Sequence, residues 1–240
     1  RVARIAAAGG SALGSALLVH DLGRPERFLN MLRVLKITSP LSVGSWILAP
    51  FSGLAAAAAA TELSGRFQVV GRLAGAGAGV LAPALATYTA VLIADTSVPA
   101  WHEAHRELPF VFAGSAAAAA GGLGMVAAPT AESGPARRMA MAGGLAELAV
   151  SELMVRRLGI HAEVYRQGRP GTMLKVARVL TAAGAGLTPF ARRSRWLSAL
   201  AGTAYLAGSF LTRFGVFQAG LASARDPKYT VVPQRERVSR

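Results

Sequence analysis

"LSVGSWILAPFSGLAAAAAAT", residues 41–61, runs for 21 residues without a charged side chain. At ~1.5 Å rise per residue, a helix of that length crosses the ~30 Å hydrocarbon core of a bilayer. Blocks of the same kind recur along the 240-residue chain, which is 52% hydrophobic and only 16% charged, against roughly 25% charged in an average soluble domain. The mean hydropathy of +0.40 is modest because so much of the apolar content is Ala and Gly. Both are weakly apolar, and both are favoured where helices pack closely in lipid. The composition predicts an all-α fold, a polytopic transmembrane helical bundle.

Seven spans are expected, at residues 2–19, 41–61, 73–94, 108–128, 138–155, 173–190 and 197–219. They make a membrane domain over 1–220, followed by an extramembrane basic tail over 221–240. Small-xxx-small spacing at Gly10/Gly14 and Gly75/Gly79 predicts close helix approach there. "GAGAG" at 75–79 superficially resembles a dinucleotide-binding loop, but it lies inside an apolar span, so packing is the better account. The alanine tracts at 55–60 and 116–120 read as tight helix interfaces. The chain starts at Arg1 without an initiator Met, and residues ahead of it are expected.

The net charge is +14 with a pI near 11.6. The Lys and Arg residues lie in the gaps between apolar blocks, where they orient helices and meet lipid headgroups, so no nucleic-acid partner is expected. With seven spans, 16 of the 26 Lys/Arg fall on the side of the loops at 20–40, 95–107 and 156–172 and of the tail. Nine fall on the other side, and Arg213 lies within the last span. The excess of positive charge places the 20–40 loop in the cytoplasm, in a multi-pass plasma-membrane protein. A basic docking surface would produce the same excess. Cysteine is absent, which excludes Cys-ligated iron–sulfur clusters, c-type haem attachment and disulfides within this chain.

Ionisable groups deep in a span are costly and point to function. Glu147 lies near the middle of its span and suggests a proton path or a buried pair. Glu152 follows five residues later, about 140° further around a helix, so the two do not share a face. Arg213 interrupts the last span, where it either snorkels to the interface or pairs with Glu147. Asp95 closes the third span, ahead of Trp101, His102 and His105. The HEAH spacing lacks the one-turn separation of HExxH, so an interfacial belt is favoured over a metal site. His20 and Asp21 end the first span, and an imidazole beside a carboxylate exchanges protons near neutral pH. The plainer alternative is a capping pair. No Ser/His/Asp arrangement or Walker loop is present. Two classes remain: a redox or energy-coupling subunit handling a lipid-soluble substrate, and a proton-coupled secondary transporter.

"HDLGRPERFLNMLRVLKITSPLSVGSW" (20–46) resembles the signature segment of the NrfD/PsrC family, the integral membrane subunits of polysulfide-reductase-like oxidoreductases. "ADTSVPAWHEAHRELPFVF" (94–112) is similar to the family's second marked segment, in the form seen in high-GC Gram-positive bacteria, and "DPKYTVVPQRER" (226–237) fits that subgroup. The resemblance implies a subunit that exchanges electrons between a docked iron–sulfur (ferredoxin-like) subunit and membrane quinone or quinol, menaquinone in particular. It implies no haem or cluster in this chain, and a molybdopterin catalytic subunit completing the complex. It further implies eight or more spans in the full protein, and possible proton translocation. Carried onto this sequence, it implies quinone contacts from His20, Asp21, Trp46 and Trp101, with Asp21 or Asp95 exchanging the scalar proton. Partner docking falls to Arg24, Arg27, Asn30, Arg33 and Lys36, and a proton path to Glu147, Glu152 and Arg213.

Overall fold

The structure of the chain, a computed structural model, describes the backbone of residues 1–238 and the side chains of residues 1–235. The end of the expected basic tail lies outside these described residues. Among the described residues ten α-helices follow one another: α1 (Val2–Asp21), α2 (Pro40–Ser64), α3 (Gln68–Ala94), α4 (Pro99–Glu103), α5 (Leu108–Ala127), α6 (Gly134–Arg157), α7 (Ala162–Arg166), α8 (Gly168–Leu187), α9 (Arg195–Arg225) and α10 (Lys228–Val238). There is no strand among the described residues. Each of the seven expected spans coincides with a helix of 20 residues or more. Four of them, α1, α2, α3 and α5, are both long and apolar enough to cross a membrane. The other three are long enough but carry more charge, such as Arg169, Lys175 and Arg178 on α8.

Local chemistry accounts for the helix ends. Pro40 opens α2, where its missing N–H costs nothing, and Ser39 Oγ accepts from Ser42 N at 3.5 Å. Gly65 ends the helix in the left-handed region, at φ +68°. Pro50 and Pro83 lie inside α2 and α3. Each frees a carbonyl one turn earlier. Near the second of these, Thr87 Oγ1 contributes a donor, reaching the carbonyls of Pro83 and Ala84 at 3.1 and 3.0 Å.

The chain divides into two compact units, Arg1–Thr89 and Ala90–Arg240, with the boundary inside α3. In the first unit, Phe51, Ala55 and Ala78 form a small core, and Arg4 pairs with Glu62 at 2.9 Å to tie α1 to α2. In the second, one cluster joins Leu108, Val111, Phe112, Met154, Tyr165 and Val216, and another joins Met125, Ala140 and Tyr205. The expected tail is helical there: α10 brings Tyr229 into the first of these clusters.

Close helix approach occurs, but not where the glycine spacing predicted it. Space beside Gly10, Gly14 and Gly79 is open, and Gly75 has only ordinary contact distances. Tight contacts lie elsewhere, and those of α5 bring helix backbones together. A Cβ on Gly121 would collide with the backbone of Ala140 on α6, and one on Gly122 would come within 2.7 Å of the Gly202 carbonyl on α9. The alanine tracts do pack tightly: Ala55, Ala58 and Ala118 are buried. Small residues permit close approach only where a partner helix faces them, and spacing alone does not say which face has one. Gly121→Ala should therefore lower the midpoint of thermal unfolding in mild detergent, at an overpacking cost of ~1–3 kcal/mol. Gly79→Ala should leave it unchanged or slightly raised.

Candidate functional site

In the first unit, α1 ends in His20 and Asp21, both exposed. Gly23 takes φ +30°, turning the chain into a single 3-10 segment at Pro25–Leu32. The loop then closes onto the start of α2, where Ser42 Oγ donates to the Val34 carbonyl at 3.3 Å and accepts from Lys36 N at 3.0 Å. These contacts use backbone on the loop side, so its side chains project outward. Arg24, Arg27, Asn30, Arg33 and Lys36 are all exposed, and none of these side chains makes a hydrogen bond or ion pair among the described residues. Between them lie Leu29, Val34 and Ile37, which are 70%, 72% and 80% exposed. Trp46 stands on the first turns of α2, also exposed, and no hydrogen bond or ring contact joins it to His20 or Asp21.

In the second unit, Asp95 follows α3 and is exposed. Beyond it, a cavity of about 230 Å³ is lined by Thr96, Ser97, His102, Glu103, His161 and Tyr229, among others. His161 is buried, and its Nε2 donates to the Tyr229 carbonyl at 2.9 Å, which fixes the proton on that nitrogen. The rings of His102 and His105 are 5.9 Å apart, and His105 Nδ1 is held by the His102 carbonyl at 2.8 Å. Among the described residues, no group of three or more His, Asp or Glu is arranged to hold a metal.

Trp101 has a packing role. Its Nε1 donates to the Val216 carbonyl at 2.8 Å, it stacks on Phe217 at 5.8 Å, and its indole fills the space that Gly220 leaves on α9. Tyr165 OH donates to the Ala100 carbonyl at 3.0 Å, and burial pushes its phenol well above the ordinary range.

Glu147 is buried between α5, α6 and α9. Thr212 Oγ1 donates to Glu147 Oε1 at 2.6 Å, and the neighbouring Ser115 donates to Ser209 at 2.9 Å. Glu147 Oε2 has no hydrogen-bond partner among the described residues. A cavity of about 30 Å³ beside the carboxyl, lined also by Ser151 and Arg178, has room for one water. Arg213 makes no ion pair with Glu147 within 4 Å; its guanidinium lies 5.0 Å from the centre of the Phe112 ring. Glu152 faces elsewhere, paired with Arg156 at 2.8 Å and Arg178 at 3.7 Å. The two glutamates thus occupy different faces, as their five-residue spacing requires.

Sequence reasoning passed over His161, Tyr229 and the pair Arg157–Glu107. None of these lies in an apolar span, and only tertiary contact reveals them. Arg157 grips the buried Glu107 with two hydrogen bonds, of 2.5 and 2.7 Å, and Nη2 also reaches the Glu103 carbonyl. The Glu107 carboxylate holds the Arg157 guanidinium above its usual pKa. Arg157→Ala leaves Glu107 buried without its partner. The expected cost is ~2 kcal/mol, read as a lower unfolding midpoint, because Arg157 itself is partly open to solvent.

No protein-family model matches the chain, and neither the curated proteins nor the solved structures contain a match to it.

Proposed function

We propose that this chain is the quinone-reactive membrane subunit of a multi-subunit oxidoreductase, and that the 22–39 loop is where an iron–sulfur subunit docks. One observation carries the reading: the loop presents Arg24, Arg27, Arg33 and Lys36 together with Leu29, Val34 and Ile37, all exposed, with the polar side chains unpartnered among the described residues. Apolar side chains that open to water are costly, and a mixed basic and apolar surface is what a protein partner with acidic patches covers. The likeness of residues 20–46 to the NrfD/PsrC signature supports the same assignment.

In this proposal all seven long helices span the plasma membrane and the loop faces the cytoplasm. Quinone, the substrate, takes two electrons from the partner's cluster and two protons to become quinol. His20 hydrogen-bonds a quinone oxygen, and Asp21 supplies a proton. The cavity beyond Asp95, at about 230 Å³, is below the ~300 Å³ where small-molecule sites begin. Glu147, with one oxygen unpartnered, is the group in the bundle best placed to take up a proton, while Glu152 and Arg213 are engaged elsewhere.

Two measurements test the proposal. Purification in mild detergent should recover an iron–sulfur protein with the chain, and Arg24→Glu/Arg27→Glu/Arg33→Glu should abolish co-elution without lowering the unfolding midpoint. A lone wild-type chain that moves solute in liposomes would instead establish a transporter. In the intact complex, His20→Ala or Asp21→Asn should slow quinone turnover at least ~tenfold, the scale of a lost proton-transfer group. Dye-linked activity of the soluble subunits should stay unchanged; equal quinone turnover in both variants overturns the residue assignment.

A further inference from the structure

α9 carries exposed Phe210, Phe214 and Phe217, followed by the part-buried Leu221 and the exposed Arg225. At 100° per residue these five positions fall within an arc of about 80°, one continuous strip along the helix. Phe210 and Phe214 lean together, with ring centres 4.5 Å apart. From Phe210 to Leu221 the strip is ~16 Å long, half the ~30 Å hydrocarbon core and so the depth of one leaflet.

The strip leads into a cavity of about 480 Å³, lined by Leu221, Arg225, Asp226, Arg169, Gln167 and Gln218, among others. Glu163 also lines it, and its carboxylate is paired at 2.5 Å with Lys228, which is outside the lining; Tyr229 OH reaches the same carboxylate at 3.4 Å. Asp226 Oδ1 accepts from Lys228 N at 2.9 Å. The Arg169 and Arg225 side chains make no hydrogen bond or ion pair among the described residues. With Glu163 taken up by Lys228, the two guanidinium groups are left with one carboxylate, Asp226, so the lining together with Lys228 is one negative charge short of neutral.

The geometry points to a binding site for an anionic phospholipid. Its phosphodiester, which carries a single negative charge, sits between Arg169 and Arg225, and the amide groups of Gln167 and Gln218 can donate to its oxygens. An acyl chain lies along Phe217, Phe214 and Phe210. Charge and tail are recognised by one continuous surface, so this lipid is held in preference to a zwitterionic lipid, whose ammonium restores the charge imbalance. The site depends on membrane embedding and not on the quinone assignment.

Purified full chain, and its partners if they co-elute, would be placed in nanodiscs of phosphatidylcholine with and without phosphatidylglycerol. Lipid retained after re-extraction would be counted by mass spectrometry, alongside the unfolding midpoint. Wild type should retain phosphatidylglycerol at least ~tenfold better than Arg169→Gln/Arg225→Gln, from ~1 kcal/mol per basic side chain near the membrane surface. Arg169→Lys/Arg225→Lys should recover part of that retention, and Arg192→Gln, an exposed arginine outside the cavity, should match wild type. Phe214→Ser should weaken retention of long-chain but not of dihexanoyl phosphatidylglycerol. Equal loss in Arg192→Gln would show a diffuse basic surface and overturn the site. So would equal retention of phosphatidylcholine, or full stabilisation by inorganic phosphate in lipid-free detergent.

Discussion

The second unit depends on how closely α5 approaches its neighbours. Gly114 and Gly121 let it lie against the backbone of α6, and Gly122 meets Gly202 of α9. Contacts this close leave little space beside them for side chains, so polar groups caught between the helices must find partners there. Ser115 pairs with Ser209, Ser198 donates to the Met125 carbonyl, and Thr212 donates to Glu147. In a low-dielectric interior an unmade hydrogen bond is expensive, so these short links between helices hold the bundle in register. Glu147 Oε2 and Thr181 Oγ1 remain buried and unpartnered within it.

The helix ends follow a different logic. At the ends of the second unit the chain binds its own charges, as in Arg157–Glu107 and Lys228–Glu163. Arg195 serves a similar end, covering the carbonyls of Met125, Val126 and Ala128 where α5 stops. Four C-terminal carbonyls of any helix lack partners of their own, and a guanidinium with its forked donors satisfies several at once. The basic loop after α1 in the first unit does none of this. Its arginines cap nothing and pair with nothing among the described residues, which sets them apart from Arg157 and Arg195.

Much of the helical layout was legible beforehand, because an uncharged run of about 20 residues has few alternatives to a helix in lipid. The reading of Glu147 and Glu152 as residues on different faces also followed from helical pitch. The glycine contacts did not. Gly75/Gly79 have the expected four-residue spacing and the adjacent Gly121/Gly122 do not, yet only the second set faces a neighbour at close range. Nor did the packing of the Trp101 indole on α9, 115 residues away along the chain.

By itself the sequence determined a helical, membrane-embedded chain, its long apolar segments and the concentration of charge between them. These are properties of single segments, set by length, composition and period. Tertiary structure alone decided that His161 holds the Tyr229 carbonyl, that Arg157 holds Glu107, that Arg213 lies over Phe112 rather than pairing with Glu147, and that Arg169 and Arg225 converge on one cavity. Each joins residues far apart in sequence. Which partner a side chain meets depends on how helices rotate and pack, and no local pattern encodes that rotation.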